Sequence, residues 1–210
     1  MESIYEFMRQ LVNPESIIQY GGIYLLLFVV FAETGLFVGF FLPGDSLLFT
    51  AGLLCATRVL QIHIVFLVLL IILGAVLGNI SGYAFGKRVG IRLFKRESTL
   101  FFKQKHLISA RKFYSKYGGK TIFFCRFLPV VRTFAPIVAG IVKLDYRKFL
   151  FYNLLGATCW VCSLVLCGYF LGIYVPEVKF YLEYIIIFLI VITSIPLIIS
   201  SLKKKHKLAL

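Results

Sequence analysis

The sequence predicts an all-α polytopic membrane protein, and three observations support this fold class. Hydrophobic residues make up 60% of the 210 residues, and the mean hydropathy is +0.92. A soluble domain is only about 45–50% apolar. The apolar residues form long runs, and a membrane-spanning helix needs about 20 of them. The basic residues cluster beside these runs, as they do in cytoplasmic segments of membrane proteins.

Four apolar runs are predicted to be transmembrane helices of a single integral membrane domain, residues 1–210. Each run is long enough to cross the hydrocarbon core of a bilayer. The predicted transmembrane helices are 17–38, 60–86, 149–173 and 181–202. The chain begins with MESIYEFMRQ, which contains two acids and one arginine. We therefore expect no cleaved signal peptide.

Two further apolar stretches, 39–55 and 121–142, contain residues that interrupt helices. These residues are Pro43, Gly44, Pro129 and Pro136. Proline removes a backbone donor from a helix interior and clashes with the preceding turn. Backbone that leaves the helix at membrane depth must be enclosed by protein or line a cavity. We therefore predict two re-entrant hairpins, each of which enters and leaves the membrane on one side.

Basic charge is concentrated in the segment 87–120, which has eleven Lys and Arg residues and one acid. Apolar residues recur within it at helical spacing, which predicts an amphipathic helix lying on anionic lipids. A second basic cluster forms the tail 203–210. Because this charge lies beside membrane spans, the net charge of +14 favours lipid partners, and we expect no nucleic-acid partner.

The chain contains an internal repeat. The tripeptide FLP at 41–43 recurs at 127–129, and the pattern GYxxG at 82–86 recurs at 168–172, both at an offset of 86 residues. The shared order and offset indicate a duplication. The predicted repeats are about 30–86 and 121–173.

Charge bias predicts opposite orientations for the two repeats. If segment 87–120 and the tail are cytoplasmic, the first hairpin enters from outside and the second from the cytoplasm. Inverted repeats whose broken helices meet near the midplane are typical of secondary transporters. The predicted architecture is therefore an inverted repeat with two opposed re-entrant hairpins and transmembrane helices.

Four charged residues lie inside the predicted membrane regions. They are Glu33, Asp45, Arg126 and Arg132. Each costs about 2.5–3.5 kcal/mol at a helix centre, so these charges must be paired, hydrated or functional. One interpretation is a structural salt bridge between the hairpins. The other is a polar cavity in which the arginines bind an anion, since guanidinium suits phosphate, and an acid takes up a proton.

Glycines recur at every fourth position of the 60–86 helix, and we predict that they allow another helix to pack closely. They are Gly74, Gly78, Gly82 and Gly86. A hinge or a groove for a lipid tail is the alternative. Asn79 and Ser81 are expected to bond helix to helix rather than to bind substrate.

Motifs for catalysis are lacking in the sequence, and we expect no enzyme activity. There is no GxSxG pattern and no P-loop, and all three histidines lie in or beside predicted loops. The five cysteines are expected to serve in packing. We predict no metal site and no cofactor.

Several of these motifs resemble those of the DedA family, whose domain is also described as a VTT or SNARE-associated type. Glu33 followed by Asp45 within FLPGDSLL resembles the first family motif. Arg126 and Arg132 in RFLPVVR, followed by Pro136, resemble the second. The resemblance implies two opposed hairpins, essential roles for the four charges and lipid movement driven by a proton or sodium gradient.

The resemblance leads to a functional hypothesis. The protein is expected to transport undecaprenyl phosphate from the outer to the inner leaflet of the bacterial cytoplasmic membrane, for reuse in cell-envelope synthesis. Arg126 and Arg132 would bind the phosphate, and Glu33 and Asp45 would couple transport to protons or gate it. The alternatives are a phospholipid flippase or scramblase, for example for phosphatidylethanolamine, a cation/proton antiporter and a structural scaffold. Homo-oligomerisation is left open, as are the headgroup, the coupling ion and the direction of transport.

Overall fold

In a computed structural model, the described residues are 14–35, 44–90, 114 and 117–175. These residues form helices and connecting turns, and no strand occurs among them, so the prediction of an all-α protein is confirmed. We number the helices α1 (Pro14–Gly35), α2 (Gly44–Ala56), α3 (Ile64–Phe85), α4 (Lys120–Cys125), α5 (Pro129–Ile141) and α6 (Tyr146–Tyr174). A π-helical turn, Gly86–Gly90, continues α3.

Two of the described helices are long and apolar enough to cross a membrane. One is α3 with the start of its π-helical turn, Ile64–Arg88, and the other is α6, with 29 residues. They correspond to the predicted helices 60–86 and 149–173. Large apolar side chains on both are exposed, including Phe66 on α3 and Phe151 on α6. In a membrane these exposed rings contact lipid, which keeps their apolar surface out of water.

Helix α1 corresponds to the predicted helix 17–38 but contains a kink. Gly22 has φ 56° and ψ −152°, a backbone conformation outside the helical region. Residues with a Cβ rarely adopt this conformation, so a glycine suits the kink. The predicted helix 181–202, the tail 203–210 and most of the basic segment 87–120 lie outside the described residues.

Helices α2 and α5 have 13 residues each. At 1.5 Å per residue they are about 20 Å long, which is shorter than the hydrocarbon core of about 30 Å. Pro129 stands at the start of α5, where a proline needs no backbone donor. The turn Arg126–Leu128 separates α4 from α5, so the chain is interrupted near Pro129 as the sequence predicts.

The prediction that Pro136 interrupts the chain is wrong. Pro136 lies inside α5, which continues to Ile141. The residue is buried, and its Cβ lies 3.5 Å from the position that a Cβ on Gly82 of α3 would take. Packing against α3 therefore holds the helix together although one backbone donor is missing.

Both short helices end with the same cap. The amide of Val59 donates to the Leu54 carbonyl at 3.0 Å, and the amide of Leu144 donates to the Ala139 carbonyl at 3.0 Å. The residues before them, Arg58 and Lys143, both have φ 57°. This combination is the Schellman motif, which satisfies carbonyl groups at a helix end.

The short helices pack on the long helices through glycines. Helix α2 packs on α6, where a Cβ on Gly52 would overlap the Val165 carbonyl. Helix α5 packs on α3, where a Cβ on Gly140 would overlap the Tyr83 carbonyl. Each short helix therefore contacts the long helix from the other half of the chain.

The glycines at every fourth position of α3 occupy either crowded or open positions. A Cβ on Gly78 would overlap the Thr34 hydroxyl and lie 2.7 Å from the Phe31 carbonyl oxygen, and one on Gly86 would overlap the Ile137 carbonyl. At Gly74 the nearest atom would lie 3.6 Å away, which is an ordinary contact. Only the crowded positions therefore require glycine.

Candidate functional site

The four intramembrane charges come together where α1, α2 and α5 meet beside α4 and α6. Glu33 lies in the last turn of α1 and Asp45 in the first turn of α2. Arg126 ends α4, and Arg132 lies in α5. Glu33, Arg126 and Arg132 are 2%, 3% and 7% exposed. The structure thus gathers these residues into one buried cluster, although they are spread over 99 positions of the chain.

Arg132 binds both acids. Its Nη2 donates to Oε1 of Glu33, and its Nη1 donates to Oδ1 of Asp45 at 2.5 Å. The helix dipole favours Asp45, at the start of α2, and disfavours Glu33, at the end of α1. Glu33 therefore depends more than Asp45 on the guanidinium of Arg132.

Gly44 makes room for the Glu33 carboxylate. A Cβ on Gly44 would overlap both oxygens of that carboxylate. Pro43, the residue before it, lies outside the described residues. The sequence predicts Gly44 only as part of the helix interruption, and the contact with Glu33 adds a second reason for glycine at this position.

Arg126 binds neutral side chains instead of acids. Its Nη1 donates to Oδ1 of Asn153 at 2.9 Å, and Nδ2 of Asn153 donates to the Val76 carbonyl at 3.2 Å. Nε and Nη2 of Arg126 have no hydrogen-bond partner among the described residues. The cation is therefore held by amides that do not neutralise its charge.

Asn79 links the same group across helices. Its amide has two orientations that exclude one another. In one, its Nδ2 donates to Oδ1 of Asn153 at 2.7 Å, which joins α3 to α6. In the other, its oxygen accepts from Nη1 of Arg126 at 2.8 Å and its nitrogen donates to the Thr34 carbonyl at 3.0 Å. In both orientations Asn79 bonds α3 to another helix, as the sequence predicts. The expectation for Ser81 is wrong, because its hydroxyl is exposed and donates to Leu77 of its own helix.

Trp160 completes the cluster, and the sequence analysis did not identify it. Its ring centroid lies 5.2 Å from Cζ of Arg126 and 4.9 Å from Cζ of Arg132. Its Nε1 donates to Oδ1 of Asp45 at 2.9 Å. Trp160 is the only tryptophan of the chain. A buried indole normally finds a partner for its N–H, so its position in an apolar helix was the available signal.

A small cavity of about 10 Å³ borders both arginines. Its walls are formed by Thr34, Asn79, Ile122, Arg126, Arg132, Ala135 and Pro136. A water molecule needs about 10–15 Å³ of such volume. The cavity therefore has room for about one water and not for a phosphate group.

The described part of the chain contains no group of side chains suited to binding a metal ion. Within residues 14–35, 44–90 and 117–175, no three His, Cys, Asp or Glu side chains are grouped closely enough to hold a metal ion. All five cysteines are free thiols. The chemistry that this cluster offers is ion pairing, anion binding and proton uptake by a carboxylate.

Comparison with known proteins identifies the family. The model of the VTT domain matches residues 42–170. Protein DedA of Escherichia coli K12 is 40% identical over 197 residues, which cover 93% of this chain and 90% of that protein. The chain belongs to the DedA family. It is therefore a membrane protein. Residues 42–170, which match the VTT domain, contain three of the four clustered charges, all except Glu33.

Several other relatives of this DedA-family chain are described as uncharacterized membrane proteins. One from Mycobacterium tuberculosis H37Rv is 40% identical over 176 residues, covering 84% of this chain and 77% of the relative. One from Synechocystis is 39% identical over 132 residues, covering 62% and 60%. No solved structure matches the chain.

Proposed function

We propose that this DedA-family protein transports undecaprenyl phosphate from the outer to the inner leaflet of the bacterial cytoplasmic membrane. The gradient of protons or sodium ions drives the transport. One observation carries the proposal: the buried cluster contains an arginine, Arg126, with two donors that no described residue uses. A headgroup with negative charge needs such donors if it is to leave water and cross the membrane.

A purely structural salt bridge explains the cluster less well. Among the described residues Arg132 alone forms ion pairs with Glu33 and Asp45, and Arg126 balances the second carboxylate charge without a direct contact. A buried donor without a partner costs about 1–3 kcal/mol, and Arg126 has two such donors, Nε and Nη2. Arg126 in this state therefore lowers the stability of the fold. A role in binding explains why the chain contains it.

The cavity volume defines the step that transport requires. A space of about 10 Å³ does not accept a phosphate group, so the conformation described here is closed to the headgroup. Protonation of Glu33 or Asp45 removes its attraction to Arg132 and allows the short helices to separate. The headgroup then enters between them, while the polyprenyl chain stays in the surrounding lipid.

The arrangement of the short helices supports a transporter built from opposed re-entrant hairpins. Helices α2 and α5 have equal length, end in the same cap and pack on the long helix of the other half. We assign them to inverted repeats that approach from opposite sides of the membrane. Segment 87–120 and the tail 203–210 lie in the cytoplasm in this assignment.

A transport assay tests the proposal. The full chain is reconstituted into liposomes with a pH or sodium gradient, and the inward movement of labelled polyprenyl phosphate is followed. We expect transport by the native protein and a decrease of at least about tenfold in Arg126→Gln. Arg58→Gln is the matched control, since Arg58 is exposed and lies outside the cluster. Folding is checked by helix content and gel filtration.

The same assay separates the alternatives. Faster movement of labelled phosphatidylethanolamine than of polyprenyl phosphate would indicate a phospholipid flippase. Ion flux in liposomes that lack any transported lipid would indicate a cation/proton antiporter. No movement of any lipid or ion by the native chain, together with normal growth of cells that carry neutral replacements of the four charges, would leave a structural scaffold.

A further inference from the structure

The two arginines of the cluster differ in which of their donors remain free. In arginine, Nε–H and one N–H of Nη2 point in the same direction and form a side-on fork. Guanidinium groups bind two oxygens of a carboxylate or phosphate through such forks. Whether a fork is complete therefore decides whether an arginine can still bind an anion in this way.

Arg132 has no fork whose two nitrogens both lack a partner. Nη1 is bonded to Asp45 and Nη2 to Glu33, so only Nε lacks a partner among the described residues. Two carboxylates face this one guanidinium, so the group carries a surplus negative charge. A phosphate at Arg132 would have to displace an acid and would meet the negative charge of the other.

Arg126 keeps the complete fork. Asn153 accepts from Nη1, and the two atoms without a partner in the described ranges are Nε and Nη2. These are the two atoms that form the side-on fork. The side chain is 3% exposed, and it forms part of the wall of the water-sized cavity. It is therefore a buried cation whose binding edge faces no carboxylate of the described chain.

Trp160 packs against the same guanidinium. Its ring lies 5.2 Å from Cζ of Arg126, a distance typical of a cation facing an aromatic ring. Its Nε1 holds Asp45, the carboxylate that Arg132 binds. A planar guanidinium that packs face-on against a ring keeps its in-plane donors available, and Nε and Nη2 of Arg126 have no hydrogen-bond partner among the described residues.

We propose that the side-on fork of Arg126 is the receptor for two phosphate oxygens of the lipid headgroup, and that Arg132 is an ion-paired lock that does not bind the headgroup. This inference rests on the proposed function and assigns different roles to two arginines that the sequence analysis treated alike. Asn153 is a positioning residue, because it binds Nη1 and thereby directs the fork. The ligand class is a phosphate monoester carried by a lipid.

The emission of Trp160 provides a direct binding assay, because the chain has no other tryptophan. The full chain in detergent is titrated with geranylgeranyl monophosphate. The parent alcohol, geranylgeraniol, serves as the control for the apolar tail, and inorganic phosphate serves as the control for the free anion. We expect a saturable change in emission with the monophosphate alone. Equilibrium binding of the radiolabelled lipid repeats the measurement without the indole.

Two sets of variants separate the receptor from the lock. Arg126→Lys keeps the positive charge but loses the fork, and we expect its Kd to rise at least about tenfold, because two hydrogen bonds to a charged ligand are disrupted. The triple variant Glu33→Gln, Asp45→Asn and Arg132→Gln removes every charge of the lock. We expect its Kd to rise by no more than about threefold above the native value, while gradient-driven transport is lost.

The outcomes are distinct for the inference and for the proposed function. An equal loss of binding in the triple variant and in Arg126→Lys, or unchanged binding in Arg126→Lys, overturns the division of roles even if transport of polyprenyl phosphate is observed. Displacement of the lipid by inorganic phosphate at equal concentration overturns the lipid as ligand. If the monophosphate binds through Arg126 but is not transported, the inference stands and the proposed function fails.

Discussion

Trp160 contacts three of the four buried charges through two different parts of its indole. The ring lies against Arg126 and Arg132, and the ring N–H binds Asp45. The ring contact needs only an aromatic face, whereas the contact with Asp45 needs a donor. The two contacts can therefore be separated by substitutions that change one and keep the other.

Trp160→Phe keeps the aromatic face and removes the donor to Asp45. We expect the KM for polyprenyl phosphate to change by less than about twofold, because the face beside Arg126 remains. The maximal rate is expected to fall about tenfold, because a hydrogen bond to a charged group contributes about 1.5–3 kcal/mol. The measurement is the initial rate of transport in liposomes over a range of substrate concentrations.

Trp160→Leu is the comparison variant, because it removes both contacts. We expect both a lower maximal rate and a higher KM for this variant. Equal effects of the Phe and Leu substitutions on KM and on the rate would mean that Trp160 only fills space in the core.

At the scale of the helices, the sequence predicted the existence of the elements better than their interruptions and contacts. The break near Pro129 was predictable, because proline has no backbone donor and this effect is local. The continuation of α5 through Pro136 was not, because it depends on packing against Gly82 of α3. The four charges were evident, since charged residues in apolar runs are rare.

The partners of those charges were less predictable. The bond from Trp160 to Asp45 joins residues 115 positions apart, and the bond from Arg126 to Asn153 joins residues 27 positions apart. No local pattern records such pairs. A single tryptophan or asparagine in an apolar helix is also readily interpreted as a core residue. That interpretation does not predict its contacts with the charged cluster.

The contact between α1 and α3 provides a test of helix packing. Gly78→Ala places a methyl group on Thr34 and Phe31, and overpacking of this kind costs about 1–3 kcal/mol. We expect the free energy of unfolding in detergent to fall by about this amount. Gly74→Ala is the matched control on the same helix, because its methyl group would meet only ordinary contacts. Equal stability of the two variants would contradict the close approach at Gly78.

At the scale of the whole molecule, the proposed inverted orientation predicts where two exposed basic residues lie. Arg58 and Lys143 both follow a short helix, and both are exposed. If α2 and α5 enter from opposite sides, Arg58 faces the outside and Lys143 the cytoplasm. Each residue is replaced by cysteine in a chain whose five native cysteines have been removed, and intact cells are treated with an impermeant thiol reagent.

We expect labelling of Arg58→Cys in intact cells and labelling of Lys143→Cys only after the membrane is permeabilised. Growth and folding of both variants are expected to match the cysteine-free chain, because both side chains are on the surface. Labelling of both positions from one side would refute the opposed hairpins.

The cavity of about 10 Å³ beside the arginines also bears on electrical insulation. Protons cross proteins along continuous chains of water molecules or side chains. A cavity with room for about one water is too small to hold such a chain. A transporter that conducted protons without bound substrate would dissipate the ion gradients across the membrane. We therefore expect the closed cluster to be a barrier to ions, and we expect ions to pass when the cluster opens after protonation of Glu33 or Asp45.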